Sequence, residues 1–175
     1  MLKLFIRQPF TQSGDSDRLL IQAVLDLIVS MNGEPVMLNL LTGTEAESNA
    51  TFRQNFEKRT GLPFTPKHFR RHRLAMLQET DAMIIIRTGL SESCAFEVGY
   101  NIFSENRRPI LFAISYDEPF KTTLLRELDD LCVVRYHHFD RPIELREAFR
   151  DFFRVVVDHK GGLPPRIAPH ASTLE

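Results

Sequence analysis

The chain has 175 residues, of which 43% are hydrophobic and 26% are charged, and its formal net charge is -1. This length and mixture are typical of one globular domain with a substantial core, and too short for two ordinary domains. The near-neutral charge argues against a general binder of nucleic-acid polymers, which is usually clearly basic. A small phosphorylated ligand stays compatible with it, because a few local cations suffice to hold one.

The two cysteines and the hydropathy narrow the protein class further. Cys94 and Cys132 show neither a metal-type spacing nor a disulfide framework. No apolar run approaches the roughly 20 residues that cross a bilayer, and the first residues lack a signal-peptide layout. We therefore expect a cytoplasmic protein that binds no membrane and holds no metal.

The predicted elements alternate between strands and helices along the chain. Apolar runs predict strands, and helical spacing of apolar residues between capping and stop signals predicts helices. In chain order we predict strand 2–7, helix 15–31, strand 35–40, helix 44–60, helix 65–80, strand 81–87, helix 94–105, strand 109–114, helix 121–129, strand 131–136 and helix 143–158. Residues 1–160 then form a single α/β domain, and residues 161–175 form a flexible tail.

This alternation predicts a flavodoxin-like or Rossmann-like doubly wound fold. Such folds contain a parallel sheet with helices on both faces, and the common order of five strands is 2-1-3-4-5. Ligands bind beyond the carboxyl ends of the strands, where the strand order reverses. Here the reversal falls between the first and third strands, so the site is expected where loops 8–14 and 88–97 meet.

The second of these loops leads into a helix that carries Glu97. The free N–H groups at the start of a helix hold phosphates and hydroxyls, and Ser91 and Ser93 can cap the helix or bind a ligand. The simpler interpretation is that Glu97 only stabilises the helix N-terminus, by about 0.3–1 kcal/mol. Its bulky neighbours indicate a partly desolvated carboxylate, and Gly99 suggests close approach of the helix to a strand or a ligand.

The stretch DAMIIIRTGLSESCAFEVGYNIFSENRRPILFAI resembles the signature of the nucleoside 2-deoxyribosyltransferase-like superfamily. The resemblance implies that Glu97 is catalytic. Ser91 falls where transferases carry an aspartate and where nucleotide N-glycosidases of the superfamily can carry serine. A second transferase aspartate falls near Arg73, which departs from that pattern. The resemblance therefore favours hydrolysis of a nucleotide over deoxyribosyl transfer.

The resemblance also implies a substrate site and an assembly. By position, the first-strand loop with Gln8 and Thr11 matches the family's substrate-binding loop. We add residues around the second loop, so that the expected binding set is Gln8, Thr11, Arg87, Gly89, Ser91, Ser93 and Tyr100. Members of the superfamily commonly form homo-oligomers, and no cofactor is expected.

Three functions stay open at this point. The first is cleavage or base exchange at the N-glycosidic bond of a nucleoside 5′-monophosphate or nucleoside. The same stretch also resembles TIR-like domains, in which this glutamate serves NAD glycohydrolysis. The third is a non-catalytic nucleotide-binding sensor or interaction module, which a Glu97 carboxylate turned away from the pocket into a salt bridge would favour.

Other polar groups are assigned lesser roles. The run from Phe69 to Arg73 is interpreted as the solvated face of a helix, with phosphate contact as the alternative. Asp117 and Glu118 lie at the right edge of the sheet to act as an acid, but a solvated loop is the preferred interpretation. His137 and His138 are adjacent in a strand and point to opposite faces, which makes a poor metal site.

Overall fold

The sheet has the predicted order. In the computed structural model, which describes residues 1–8, 14–34, 36–42, 52–89, 91–118, 120 and 122–161, five parallel strands pair as β2-β1-β3-β4-β5. They are β1 Leu2–Arg7, β2 Leu38–Thr42, β3 Ala82–Arg87, β4 Ile110–Ser115 and β5 Val134–Phe139. The α/β doubly wound fold is confirmed, and the reversal of strand order lies between β1 and β3.

Five helices connect or follow the strands within the described residues. They are α1 Asp15–Ser30, α2 Phe52–Thr60, α3 Pro66–Gln78, α4 Glu92–Ile102 and α5 Leu145–Gly161. Helix α3 begins as predicted, since the Thr65 side chain accepts a hydrogen bond from the His68 N–H and Pro66 occupies the first helical position. Helix α1 begins at Asp15 as predicted, and Gly14 occupies its N-cap position without a side-chain capping hydrogen bond.

The alternation of side chains along the strands builds one apolar core on each face of the sheet. On one face, Leu4 and Ile6 of β1 pack in the same cluster as residues of α1 and α5. On the other face, Phe5 packs in the same cluster as Met76 of α3 and Val98 of α4. Successive residues of β1 therefore point to different layers of helices, one that contains α1 and α5 and one that contains α3 and α4.

An aromatic cluster holds α2 against α3. Phe56 lies 5.6 Å from Phe64 and 5.9 Å from Phe69 between ring centroids, and the rings meet edge to face. Such pairs add about 0.5–1.5 kcal/mol each beyond the area they bury. This packing joins α2 to α3, the helix that carries the buried Arg73.

Several predicted boundaries are wrong. The predicted helix 121–129 is replaced by two 3-10 turns, Thr123–Leu125 and Leu128–Asp130, between which Glu127 adopts a left-handed conformation with φ 53°. Nine residues with few apolar contacts do not repay the cost of helix nucleation. Strand β5 starts three residues later than predicted, because its apolar lead-in forms a turn and its polar half pairs with β4.

Other boundaries shift less, and parts of two predicted segments lie outside the described residues. Strand β2 and helix α5 both start later than predicted, and helix α4 starts two residues earlier. The predicted tail 161–175 is wrong at Gly161, which is the last residue of α5. Residues 162–175 of this tail and residues 44–51 of the predicted helix 44–60 lie outside the described residues. Among the described helices, none is both long enough and apolar enough to cross a membrane.

Candidate active site

Helix α4 carries Glu97 to the carboxyl ends of the strands. The Ser91 side chain caps the helix by accepting a hydrogen bond from the Cys94 N–H at 3.3 Å, which confirms its expected capping ability. Because the helix begins at Glu92, Glu97 lies in its second turn. Glu97 is only 5% exposed, so the carboxylate is more desolvated than the sequence indicated.

Two arginines from different elements hold the Glu97 carboxylate. The Arg73 Nε of α3 donates to Glu97 Oε1 at 2.9 Å, and the Arg7 Nε at the end of β1 lies 3.0 Å from Glu97 Oε2. The guanidinium carbon of Arg73 also lies 4.4 Å from the centroid of the Phe5 ring. Two cations therefore compensate one buried anion, as a charge this far from water requires.

The two carboxylate oxygens are not equivalent. Oε1 makes an aligned hydrogen bond to Arg73, a side chain that is only 6% exposed. Oε2 is close to Arg7, but neither Oε2 nor the Arg7 Nε makes an aligned hydrogen bond to any residue that the structure describes. Arg7 is the more accessible partner at 21% exposure, and its Nη2 donates to the Ser91 hydroxyl at 3.3 Å. Oε2 is thus the carboxylate oxygen that keeps hydrogen-bonding capacity.

Gln8 and Thr88 lie at the carboxyl ends of β1 and β3 and are almost fully buried. Gln8 is 4% exposed and Thr88 is 5% exposed. Neither amide atom of Gln8 has a hydrogen-bond partner among the described residues, and the Thr88 hydroxyl has none there either. This part of the site therefore contains polar groups that the described chain leaves unsatisfied.

The remaining predicted site residues surround this point at varying distance. Gly89 is partly exposed between β3 and α4, and Ser93 is exposed in the first turn of α4. Thr11 lies outside the described residues. The Arg87 Nε donates to the Glu118 carbonyl at 3.1 Å, and its guanidinium carbon lies 4.6 Å from the Phe120 ring centroid. Burial lowers the pKa of Arg87.

A small cavity lies at the carboxyl ends of β4 and β5, next to Phe120. Its volume is about 280 Å³, and its lining residues are Ile114, Phe120, Arg126, Glu127, Tyr136 and His138. Strand β5 contains His137 and His138 in its interior instead of at its end. Among the described residues, no group of three or more histidines, cysteines or acidic residues could hold a metal ion.

A larger groove of about 780 Å³ is lined by residues of α3, α4 and the segment after α4, and Glu97 is not among its lining residues. It contains Tyr100, whose hydroxyl accepts a hydrogen bond from Gln78 Nε2 at 2.7 Å. Its wall includes Gly99, and a Cβ at Gly99 would meet no other atom within 4 Å. The expected close approach of this helix to a strand is therefore wrong, and substrate binding by Tyr100 stays a prediction.

Cys94 is partly buried at the start of α4 and is a poor nucleophile. Burial raises the pKa of its thiol to about 12, and the opposing effect of the nearby Arg7 charge is smaller. The reactive thiolate is therefore almost absent near neutral pH.

The structure brings to this region three residues that were not among the predicted site residues, Arg7, Arg73 and Thr88. Arg73 was assigned to a solvated helix face, yet it shares its face of α3 with the buried Met76 and Leu77. The spacing i, i+3 and i+4 was a signal that could have found it. Arg7 and Thr88 follow their strands directly, but nothing in the pattern separates such positions from ordinary strand ends.

Comparison with known proteins shows a likeness of fold alone. No model of a known family matches the chain, and no curated protein matches it in sequence. The CMP N-glycosidase BcmB of Clostridium botulinum shares 14% identity at a TM-score of 0.52, over 84% of this chain and 97% of that chain. BlsM, known from a solution structure, shares 17% identity at a TM-score of 0.58, over 91% of this chain and 94% of that chain.

Proposed function

We propose that this chain hydrolyses the N-glycosidic bond of a nucleoside 5′-monophosphate or nucleoside, with Glu97 as the catalytic carboxylate. The observation that carries the proposal is a desolvated carboxylate at the reversal of strand order, held in one orientation by guanidinium groups from β1 and α3. Ligands bind at such reversals in open α/β sheets. The likeness of fold to a CMP N-glycosidase is consistent with this chemistry.

The proposed reaction uses Glu97 Oε2, the carboxylate oxygen that makes no aligned hydrogen bond to a described residue. The bond between the anomeric carbon and the base nitrogen breaks, and its electron pair leaves with the base, which takes up a proton. Positive charge builds on the sugar ring, as in glycoside hydrolysis, and Oε2 stabilises this charge or attacks the anomeric carbon. Water then adds its hydroxyl to that carbon and releases its remaining proton. Where Oε2 has formed an ester, this step breaks the bond between Oε2 and the carbon, and its electron pair returns to the carboxylate. The products are the free base and the sugar or sugar phosphate.

The two arginines have separate roles in this proposal. Arg73 fixes Oε1 and thereby the rotamer of Glu97, from a buried position that a substrate does not need to reach. Arg7 is more exposed and bonds only weakly to Oε2, so a substrate can displace it from the carboxylate. Its cation then lies near the start of α4, where a phosphate would also find free helix N–H groups.

The same ion pairs favour a second candidate, a nucleotide-binding module without catalysis. A carboxylate between two cations has its charge already compensated, and Glu97 lines neither of the two cavities described above. In this case the Arg7–Glu97–Arg73 cluster would be structural. Base release is the property that separates the two candidates.

The test is incubation of the protein with nucleosides, the nucleoside 5′-monophosphates and NAD, followed by chromatography of the released base. We expect release from a nucleotide or nucleoside, and a loss of about 1000-fold or more in Glu97→Gln. Glu92→Gln is the matched control, because Glu92 is an exposed glutamate on the same helix. Release from NAD alone would point to NAD glycohydrolysis, and folded protein that binds nucleotides without release would support the binding module.

A further inference from the structure

Gln8 and Thr88 are buried, and no polar atom of either side chain has a hydrogen-bond partner among the described residues, whereas the buried arginines and Glu97 lack a partner at only some of their atoms. An unsatisfied buried donor or acceptor is destabilising, so a native protein keeps one only for a reason. Here three such atoms, Gln8 Oε1, Gln8 Nε2 and Thr88 Oγ1, occur at the ends of two neighbouring strands. Their position at the strand ends indicates a ligand as that reason.

These two residues belong to a different side of the sheet from Glu97. Ile6 and Ile86 pack in the core on the α1 side, and continued alternation assigns Gln8 and Thr88 to that side. Phe5 packs on the α3–α4 side, where Arg7 meets Glu97. A ligand that lies across the ends of β1 and β3 would therefore meet the carboxylate on one side and the amide and hydroxyl on the other.

We propose that Gln8 and Thr88 form a subsite that recognises the hydrogen-bonding edge of the nucleobase. The inference rests on the proposed function, since it assigns the second half of the same substrate. A glutamine amide presents one donor beside one acceptor, and nucleobase edges present the complementary pattern. The threonine hydroxyl can donate or accept, so it completes the contact whichever group lies opposite it.

The chemistry of the subsite favours a base over a phosphate. Gln8 Oε1 is an acceptor and requires a donor from the ligand, which an ionised phosphate does not have. Arg7, the cation next to Gln8 in sequence, is on the Glu97 side, where it suits the phosphate or the sugar. The N-glycosidic bond joins base and sugar, so a base on the Gln8 side leaves the anomeric carbon facing Glu97.

The experiment compares Thr88→Val and Gln8→Leu with the parent in two measurements. The first is the affinity for the nucleoside 5′-monophosphates of cytosine, uracil, adenine and guanine, measured by calorimetry in a Glu97→Gln background. Each nucleotide is compared with an analogue in which the N–H donor on the edge of the base is methylated. The second is the urea midpoint of the ligand-free protein. Steady-state KM in the parent background repeats the first measurement if Glu97→Gln folds poorly.

We expect each substitution to weaken binding of the preferred nucleotide by about 10- to 100-fold, the effect of one well-made base contact. Methylation of the base should weaken binding to the parent by a similar factor and have little further effect in Gln8→Leu. The urea midpoint should stay unchanged or rise, because the replaced atoms have no partners to lose. Thr80→Val is the matched control: its buried hydroxyl donates to the Leu77 carbonyl at 2.7 Å, so it should lower the midpoint without changing affinity.

Two results would overturn the inference while leaving the proposed function intact. One is base release by the parent with unchanged KM in both variants, and the other is a lowered urea midpoint in both variants with unchanged affinity. If affinity falls when sugar hydroxyls are removed from the nucleotide but not when the base is methylated, the subsite binds the sugar, and the inference is overturned too. Binding that depends on both residues without any base release would instead refute hydrolysis and retain the subsite.

Discussion

At the carboxyl ends of the strands, the two sides of the sheet differ in whether their buried polar side chains have partners. On the α3–α4 side, Glu97 meets Arg7 and Arg73, and its charge is compensated within the chain. On the α1 side, Gln8 and Thr88 are equally buried but have no partner among the described residues. The ion pairs of Glu97 exist whether or not a ligand is present, although Glu97 Oε2, Arg7 Nε and Arg73 Nη2 make no aligned hydrogen bond to a described residue. Gln8 and Thr88 have neither ion pairs nor hydrogen bonds there, and such groups lower stability until something binds them.

This difference means that burial alone does not identify a functional residue. Glu97 is explained by its ion pairs even without a substrate, which is why the binding module stays a specific alternative. Gln8 and Thr88 have no such explanation inside the described chain. Stability measurements can therefore separate the two sides, because the same type of substitution should have opposite signs on them.

Arg73→Met should give the largest effect on stability. It leaves the buried Glu97 carboxylate with only the poorly aligned Arg7, and breaking a buried pair costs about 3–5 kcal/mol. The free energy of unfolding in urea measures the loss, and Arg70→Met, an exposed arginine on the same helix, is the control. A loss below about 1 kcal/mol would contradict the satisfied ion pair. The double variant Arg73→Met/Glu97→Gln removes both charges, so it should recover part of the lost free energy of unfolding.

Alkaline pH should lower stability through the two thiols by a smaller amount. Burial raises the pKa of Cys94 to about 12 and that of Cys132 to about 11, from 9.0. Their stabilising contribution is therefore complete below about pH 9 and is lost as the pH rises toward 12, because the unfolded chain releases these protons first. The urea midpoint at about pH 8 and about pH 10 should differ less in Cys94→Ala/Cys132→Ala than in the parent. An identical pH dependence would show that the Cys94 thiol beside the charged cluster is not desolvated.

Gly99→Ala should have the smallest effect, and it should be stabilising. A Cβ at Gly99 meets no other atom within 4 Å, so the gain in helix propensity of about 0.5–1 kcal/mol is not offset by a clash. The melting temperature and base release should be measured together. Since Gly99 touches neither side of the strand ends, higher stability with unchanged release would show that effects at Glu97 do not arise from α4 stability alone. A lower melting temperature would contradict the open space around it.

The sequence was sufficient for the sheet and for the position of Glu97. Apolar strands alternate with capped helices, and the rules of parallel sheets then fix the order and the reversal point. Local pattern failed where few apolar contacts support an element, as in the two 3-10 turns before β5. It also failed where an edge strand is polar, since β5 carries Arg135 and His138 on exposed positions.

The chemistry of the site was less accessible to sequence reasoning. The partners of Glu97 come from β1 and α3, which are distant in sequence, and only the packing of α3 on the sheet brings Arg73 to 2.9 Å. The lack of partners at Gln8 and Thr88 is a property of the folded surroundings and has no local pattern. Ser91 was predictable, because a helix cap depends on neighbours within one turn.

Arg7 and Gln8 are consecutive residues that face different sides of β1, and this arrangement constrains how the protein can evolve. A substitution at Gln8 can change what the α1 side recognises without moving the cation next to Glu97. An insertion or deletion of one residue in β1 would instead exchange the two sides, sending the cation toward α1 and the amide toward the carboxylate. Related chains with new ligand preferences should therefore differ by point substitutions here and preserve the length of β1.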